Sequence, residues 1–243
     1  MLSTTTNHTR ARRQLIITID GPGGVGKSTA AKQLARQLGF SYLDTGATYR
    51  ALAVAALEQR LSPVTDVEAL ARLARRLALR FEPAADGSLR VLIDGRDITT
   101  EIRKEKMSEA AAQLSQHPAV REAMVDLQRR LADDRSVVVE GRDTGSVVFP
   151  QATHKFFLDA DPAIRAQRRQ RDLTKRYGTQ PPLAEVQEQL DFRDGLDRHR
   201  RVGPLVRPPG AILIDTSHLT VDEVVKAMVE RMMGSGPARP SSS

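Results

Sequence analysis

Short apolar runs alternate with longer amphipathic stretches along most of the chain. The apolar runs predict strands at 15–19 (LIITI), 41–44 (SYLD), 136–140 (SVVVE), 155–160 (KFFLDA) and 211–216 (AILIDT). The amphipathic stretches predict helices at 27–38, 47–59, 66–78, 101–115, 118–132, 162–172, 183–200 and 221–233. Because apolar strands alternate with helices, the pattern favours an α/β fold with a parallel sheet covered on both faces.

The segment 79–99 departs from this alternation. It holds two strand-like pieces around an Asp86-Gly87 turn, followed by a second turn at Asp94-Gly95. Such spacing is typical of a small antiparallel hairpin or meander. We therefore predict an inserted lobe at 63–115, too small to fold alone.

The remaining chain divides around that insertion. We predict one α/β core from 14–62 and 116–233, with tails at 1–13 and 234–243. The last stretch, GSGPARPSSS, is rich in Gly, Pro and Ser, which favours disorder. No internal repeat is found in the sequence.

Composition excludes several classes of protein. Of 243 residues, 40% are hydrophobic and 28% charged, close to ordinary globular values. No apolar run approaches the roughly 18 residues of a membrane span. The absence of cysteine excludes disulfides, thiolate metal sites and cysteine nucleophiles. Residues 1–13 lack the apolar core of a signal peptide, so we expect a soluble, cytoplasmic protein that binds no membrane.

The chain is strongly basic, with a net charge of +7 and 37 Lys and Arg residues. Three interpretations compete: a surface for nucleic acid, arginines gathered on a small phosphorylated ligand, or a compositional bias with solvated arginines. Aromatic residues make up only 4% of the chain, too few for obvious base-stacking platforms. Charge alone does not decide between these interpretations.

The stretch GPGGVGKST at 21–29 contains the pattern G-x-x-x-x-G-K-[ST], between a predicted strand and a predicted helix. Its glycines let backbone N–H groups point inward around phosphate oxygens, and the helix N-terminus adds partial positive charge. Lys27 is expected to reach the β- and γ-phosphates, and the Ser28 hydroxyl to bind Mg²⁺. The predicted triphosphate-binding residues are Gly21, Pro22, Gly23, Gly24, Val25, Gly26, Lys27, Ser28 and Thr29. The motif identifies a nucleoside-triphosphate site but not a reaction, since ATPases, GTPases and small-molecule kinases share it.

Two further stretches follow predicted strands, where ligands gather in open α/β sheets. DTGATYR at 44–50 and EGRDTG at 140–145 each bring an arginine together with hydroxyl or carboxylate groups. A helix cap at Asp44 and an ordinary ion pair between Arg142 and Asp143 are the plain alternatives.

Two basic helical stretches are also candidates. Arg193, Asp197 and Arg200 fall on one helical face, either as a solvated salt-bridge ladder or as groups that hold a nucleotide. Arginines crowd the helix before Gly178, either as a plain basic helix or as a flap that closes over the triphosphate. The arginines of that helix are Arg165, Arg168, Arg169 and Arg171.

Together these blocks resemble bacterial cytidylate kinase. The resemblance rests on IDGPGGVGKST, LDTGATYRA, VVVEGRDTGSVVFP, FFLDAD and RDxxDRxRxxxPL, in this order from about 14 to 230. It implies a three-layer P-loop NTPase fold with a parallel central sheet. An inserted nucleoside-monophosphate lobe with an antiparallel sheet and a helical lid at about 165–180 complete the implied architecture.

The resemblance also implies the reaction and the roles of the residues. The γ-phosphoryl of ATP would pass directly to CMP or dCMP with Mg²⁺. We separately expect a monomer that binds no nucleic acid. Closure of the lobe on CMP and of the lid on ATP would exclude water. The implied catalytic residues are Lys27, Arg142, Arg168 and Arg169. The implied CMP-binding residues are Thr45, Tyr49, Arg50, Arg121, Arg142, Asp143, Arg193, Asp197 and Arg200.

One position departs from the family pattern. Ala112 stands where the family often has a serine that helps to bind cytosine, and Ser115 lies about one turn away. The cytosine contact is therefore expected to be weaker, water-mediated or made differently. Two alternatives remain: another P-loop kinase acting on UMP, AMP or a non-nucleotide metabolite, and an RNA-binding ATPase.

Overall fold

The protein is described by a computed structural model that covers residues 14–84, 89–133 and 135–234. The strands are β1 (Ile16–Asp20), β2 (Ser41–Asp44), β3 (Leu79–Pro83), β4 (Leu89–Ile93), β5 (Arg96–Asp97), β6 (Val137–Gly141), β7 (His154–Asp159) and β8 (Ile212–Asp215). The helices are α1 (Lys27–Leu38), α2 (Thr45–Glu58), α3 (Val67–Arg76), α4 (Glu105–Leu114), α5 (Pro118–Leu131), α6 (Pro162–Tyr177), α7 (Leu183–His199) and α8 (Val221–Gly234). Two short turns complete the fold, a 3-10 turn at Glu101–Arg103 and a π-helical turn at Thr144–Val148.

The central sheet has five parallel strands in the order β2-β6-β1-β7-β8. In register, Ile19 of β1 lies opposite Glu140 of β6 and Phe156 of β7. The carboxyl ends of β1, β2 and β6 therefore lie side by side. This is the edge at which open α/β sheets bind ligands.

Apolar residues cover both faces of this sheet. On one face Val138 packs with Leu34 of α1 and Met228 of α8. On the other face Val137 and Val139 pack into a second cluster near the π-helical turn. Because neighbouring β6 residues point to opposite faces and both faces are covered, β6 is apolar from Val137 to Val139. The predicted α/β class with a parallel central sheet and helices on both faces is confirmed.

A second, antiparallel sheet has the order β3-β4-β5. It confirms the meander predicted for 79–99, and the turn at Asp94-Gly95 is present with positive φ at both residues. The predicted turn at Asp86-Gly87 lies outside the described residues. Buried residues of α2, α3, α4 and α5 pack with this sheet in one cluster.

The division of the chain into a core at 14–62 and 116–233 and a lobe at 63–115 stays a prediction. Helix α5 follows that boundary, yet it shares its apolar cluster with α3 of the predicted lobe. Tails were predicted at 1–13 and 234–243. Residues 1–13 and 235–243 lie outside the described residues, and Gly234 belongs to the end of α8.

Most predicted elements are present within a few residues, and three differ for local reasons. Helix α2 begins at Thr45, before the predicted Ala47, because the Asp44 carboxylate caps it by accepting from the Ala47 N–H. The helix predicted over 101–115 is interrupted because Lys104 is extended, with ψ of 141°. Helix α6 continues past the predicted 172 until Gly178 ends it with φ of 74°. Among the described residues, no helix has the length and apolarity that crossing a bilayer requires.

Candidate functional site

The loop between β1 and α1 has the backbone geometry of an anion cradle. Gly21 has φ of +146°, and a Cβ there would lie 2.1 Å from the Leu158 carbonyl oxygen. Gly24 has φ of +78°, and a Cβ there would lie 2.7 Å from the Arg165 carbonyl oxygen. Both positions need glycine because conformation and close backbone packing exclude a side chain. Helix α1 begins at Lys27, so its N-terminus faces the same space.

Two buried side chains brace this loop from the helices behind it. The Gly23 N–H donates to Asp194 Oδ1 of α7 at 2.9 Å, and Arg165 Nη1 of α6 donates to the Gly23 carbonyl at 3.1 Å. Arg165 and Asp194 also form an ion pair with each other. The sequence placed Arg165 among the flap arginines, but in the structure it is a buried brace of the loop.

Lys27 lies at the centre of the cradle and is almost completely buried. Its Nζ donates to the Pro22 carbonyl oxygen at 2.5 Å. Burial, helped by the positive charge of Arg142, lowers the pKa of Lys27 to about 7, although Glu140 and two other carboxylates act in the opposite direction. A lysine in this state gains charge when an anion arrives beside it.

Glu140, at the end of β6, is a buried carboxylate next to the cradle. It accepts a hydrogen bond from the Tyr42 hydroxyl. Burial and then the neighbouring Asp44 raise the pKa of Glu140, while Lys27, the Ser28 hydroxyl and the Tyr42 hydroxyl act in the opposite direction. The Ser28 hydroxyl and the Glu140 carboxylate therefore lie next to each other in the cleft. Both are oxygen ligands, the kind that Mg²⁺ prefers.

A single cleft of about 1030 Å³ runs from the cradle to the antiparallel sheet. Most of the predicted site residues line it. They are Gly23, Gly24, Val25, Gly26, Lys27, Ser28, Thr29, Thr45, Tyr49, Arg50, Arg142, Asp143, Arg168, Arg169, Arg193, Asp197 and Arg200. Gly21, Pro22 and Arg121 do not line the cleft, and Arg121 lies behind the wall with 2% of its surface exposed.

The start of α2 supplies hydroxyl groups and one arginine to the cleft. Thr45 Oγ1 donates to the Glu140 carbonyl oxygen at 2.7 Å, which ties α2 to β6. Arg50 Nη2 donates to Asp44 Oδ2 at 2.8 Å. The Tyr49 hydroxyl accepts from Arg121 Nη1 at 3.3 Å, and burial raises the pKa of Tyr49 to about 12, so it stays neutral.

The loop after β6 and the end of α7 form one network of ion pairs. Arg142 Nε donates to Asp197 Oδ2 at 2.9 Å. Asp143 pairs with Arg121 through Oδ2 and with Arg200 through Oδ1, the latter at 3.1 Å. Arg200 also lies 3.5 Å from Asp197 Oδ1. Arg121 and Arg200, 79 positions apart in sequence, are thereby joined in one network through Asp143.

Arg193 lines the same cleft as this network, but among the described residues it forms no ion pair with a carboxylate. Burial lowers the pKa of Arg193 to about 10; the positive charges of Arg142, Arg50 and Arg169 add to the effect, and the Asp197 carboxylate opposes it. Gathering like charges in a partly buried place is unfavourable unless an anion neutralises them. The arrangement therefore fits a phosphate group between these arginines.

Two arginines of α6 have different partners. Arg168 donates from Nη1 to Thr216 Oγ1 at 2.9 Å, and Thr216 in turn donates to the Val25 carbonyl oxygen in the cradle. Arg169 pairs with Glu105 of α4 at 3.1 Å. The predicted lid helix thus contacts both the cradle side and the inserted segment.

The departure at Ala112 is visible on the α4 wall. Ala112 lines the cleft, as do Ser108 and Ser115 of the same wall. Ser115 Oγ donates to the Ala112 carbonyl oxygen at 2.8 Å, so the Ser115 hydroxyl proton already has an acceptor within the protein. The small side chain of Ala112 leaves space at the position where a hydroxyl was expected.

Sequence reasoning did not single out several residues that shape the site. Glu140, Asp20 and Asp194 were quoted within motifs but received no role, and Asp44 was considered only as a helix cap. One signal was available, because Asp20, Asp44 and Glu140 are acidic residues at the carboxyl ends of adjacent strands. The partners of Asp194 were not readable, since they depend on how α7 packs against the cradle.

A family model and three sequence relatives of this chain carry the same description. A family model described as cytidylate kinase matches residues 17–233. The cytidylate kinase of Caldanaerobacter subterraneus subsp. tengcongensis is 47% identical over 214 residues, covering 88% of this chain and 92% of the relative. The cytidylate kinase of Methylococcus capsulatus is 44% identical over 211 residues, with 87% and 93% covered. That of Neisseria gonorrhoeae is 42% identical over 221 residues, with 90% and 97% covered.

Proposed function

This chain belongs to the cytidylate kinase family, and on that premise we propose that it transfers the γ-phosphoryl group of ATP to CMP or dCMP. The products are ADP and CDP or dCDP. Enzymes of this kind are phosphotransferases that act on a nucleoside monophosphate, and the parallel sheet with its glycine cradle is the fold that such chemistry uses.

One observation supports the proposal most strongly: the glycine cradle lines the same cleft as four arginines, Arg50, Arg142, Arg193 and Arg200, here called the arginine constellation. The cradle suits the phosphates of ATP, and Arg50, Arg142, Arg193 and Arg200 suit the phosphate of the acceptor. Two phosphate groups held in this way face each other, as direct transfer in line requires.

Each charged group then has a task in the transfer. Lys27 contacts the phosphoryl group as it moves, and Arg142 neutralises charge on the acceptor phosphate. Arg168 and Arg169 act from α6 when it closes over ATP. No covalent intermediate is needed, because positioning and charge neutralisation supply the rate enhancement.

The acceptor base lies toward the antiparallel sheet. We assign Asp143 to the cytosine edge, with Arg121 behind it as the ion-pair partner that holds this carboxylate. Thr45 and Tyr49 belong to the monophosphate pocket, and Asp197 to the sugar hydroxyls. A carboxylate at Asp143 accepts a hydrogen bond from the cytosine amino group and repels the O4 oxygen of uracil. This difference in charge and hydrogen bonding supplies the preference for cytosine.

Mg²⁺ fits the residues that are present. Ser28 would hold the ion, with the Glu140 carboxylate beside it and the triphosphate completing the ligands, as is usual for a metal that keeps several waters. Among the described residues, no cluster of three or more acidic or histidine side chains has the geometry of a complete metal cage. When bound, Mg²⁺ would neutralise charge on the transferring phosphates.

The direct test is release of ADP from ATP with a panel of acceptors. The panel is CMP, dCMP, UMP, AMP and shikimate, with single-stranded RNA as a separate addition. We expect ADP release with CMP or dCMP, in step with formation of the cytidine diphosphate. Turnover with UMP, AMP or shikimate in preference to CMP, or ATP hydrolysis stimulated by RNA alone, would reject the proposal.

A further inference from the structure

Asp20 is a buried carboxylate at the end of β1, immediately before the glycine cradle. Its side chain is inaccessible to solvent. It lies opposite Gly141 in the register of β1 and β6, one residue before the loop that carries Arg142 and Asp143. The strand thus ends with a charged group that the solvent does not reach and that the proposed reaction does not use.

Three hydrogen bonds from one loop converge on this carboxylate. The Thr144 N–H and the Thr144 hydroxyl both donate to Oδ1 at 2.8 Å, and the Gly145 N–H donates to Oδ2 at 2.8 Å. These two N–H groups open the π-helical turn at Thr144–Val148, where the first backbone donors lack partners within the turn. Asp20 satisfies them from a neighbouring strand and complements the positive end of the turn.

The arrangement leaves little room for the loop to move. A Cβ at Gly145 would lie 3.2 Å from Asp20 Oδ2 and 2.7 Å from Thr18 Oγ1. The loop therefore sits directly on β1. Residues 142 and 143 precede the anchored turn, so their backbone position relative to the cradle is set by this contact.

We propose that Asp20 is a positioning residue: its carboxylate fixes the loop bearing Arg142 and Asp143 at a set distance from the glycine cradle. Through this contact the acceptor phosphate and base are aligned with the donor phosphate. The proposal rests on the proposed function, since it assigns Arg142 and Asp143 to the acceptor. Asp20 itself touches neither nucleotide.

Asp20→Asn is the first variant that tests this role. The amide offers one acceptor oxygen and one donor NH₂ group, so it opposes at least one of the three loop donors with a donor. We expect kcat/KM for CMP to fall on the order of 10²-fold, as for a displacement of about 1 Å at reacting groups. The dissociation constant of CMP, measured by calorimetry, should rise, while that of ADP should change little because Arg165 and Asp194 brace the cradle separately.

Thr18→Val is the matched control. Thr18 lies on β1 two residues before Asp20 and is equally buried, but its hydroxyl has no hydrogen-bond partner in the part of the chain described here. Replacing it with the isosteric valine should leave the kinetics unchanged. A second pair keeps the test valid if Asp20→Asn does not fold: Thr144→Val removes one donor and should weaken CMP binding, whereas Thr144→Ser should restore it.

The outcomes separate the two claims. If the unaltered protein phosphorylates CMP and Asp20→Asn loses only thermal stability, with kcat/KM for CMP unchanged, the positioning role is wrong and the proposed function stands. Equal weakening of ADP and CMP binding also overturns the role, because it indicates general damage to the site. If the unaltered protein does not phosphorylate CMP, the proposed function fails independently of Asp20.

Discussion

Lys27 is the side chain whose charge depends most on whether the cleft is occupied. Its position was predictable from the sequence, because G-x-x-x-x-G-K-[ST] after a strand specifies both the loop and the lysine. Its pKa was not predictable. The value of about 7 depends on burial and on Arg142, which is brought near by the parallel pairing of β1 and β6.

Lys27→Ala is expected to lower kcat on the order of 10²-fold or more, because a cation is lost where charge develops in the transition state. Steady-state kinetics with saturating ATP and CMP measure the loss. Lys226→Ala, an exposed lysine on α8, is the control and should retain full turnover. Near-normal turnover in Lys27→Ala would remove this lysine from the catalytic machinery.

The low pKa of Lys27 also predicts proton uptake on nucleotide binding. At about pH 8 the free protein holds Lys27 mostly neutral, and a bound phosphate raises its pKa, so ADP binding takes up a proton. Well below pH 7 the lysine is already charged and this uptake disappears. Calorimetry of ADP binding in buffers of different ionisation enthalpy measures it. Uptake of the same size in Lys27→Ala would show that another group is responsible.

Asp143 governs the choice of base in our account. We expect Asp143→Ala to reduce kcat/KM for CMP by about 10- to 100-fold more than for UMP, because the acceptor for the cytosine amino group is lost. Comparing the two substrates removes the general effect of deleting the carboxylate that pairs with Arg121 and Arg200. Equal losses on both substrates would exclude Asp143 from base recognition.

Secondary structure followed the sequence closely where hydrophobic periodicity and capping agree. Helix α1 was predicted with both ends as found, because a phosphate-loop motif opens it and Gly39 ends it with φ of 68°. The break at Lys104 was not predicted, since no proline or glycine marks it. It reflects packing of the 3-10 turn at Glu101–Arg103, whose Ile102 is buried in the cluster shared with α4. The π-helical turn at Thr144–Val148 was likewise invisible, because it depends on Asp20 from a distant strand.

The contact between α6, α7 and the cradle carries a stability prediction. Asp194→Asn leaves the Arg165 guanidinium buried with a weakened partner, so the free energy of unfolding should fall by about 3 kcal/mol. Urea unfolding measures the change. The control is Glu68→Gln, which breaks an exposed pair with Arg72 and should cost less than about 0.5 kcal/mol. A loss for Asp194→Asn no larger than that of the control would contradict the bracing role.

The whole molecule combines a basic chain with one cleft in which cations gather. From composition, the charge of +7 did not distinguish nucleic acid, phosphorylated ligand or solvated surface. The fold favours a phosphorylated ligand, because nine arginines and three lysines line the cleft on which the glycine cradle opens. The arginines are Arg50, Arg103, Arg142, Arg168, Arg169, Arg171, Arg176, Arg193 and Arg200, of which α6 supplies four. The ion pair between Arg169 and Glu105 places helix α6, the predicted lid, against the inserted segment.

The central claim is that one cleft holds the donor and acceptor phosphates facing each other. Inhibition by a bisubstrate mimic, adenosine and cytidine joined through a chain of five phosphates, tests this most directly. We predict competition with both ATP and CMP, and tighter binding than either nucleotide alone, because one molecule occupies both the glycine cradle and the arginine constellation. Competition with ATP but not with CMP would show that the arginine constellation does not hold the acceptor, and would contradict the account.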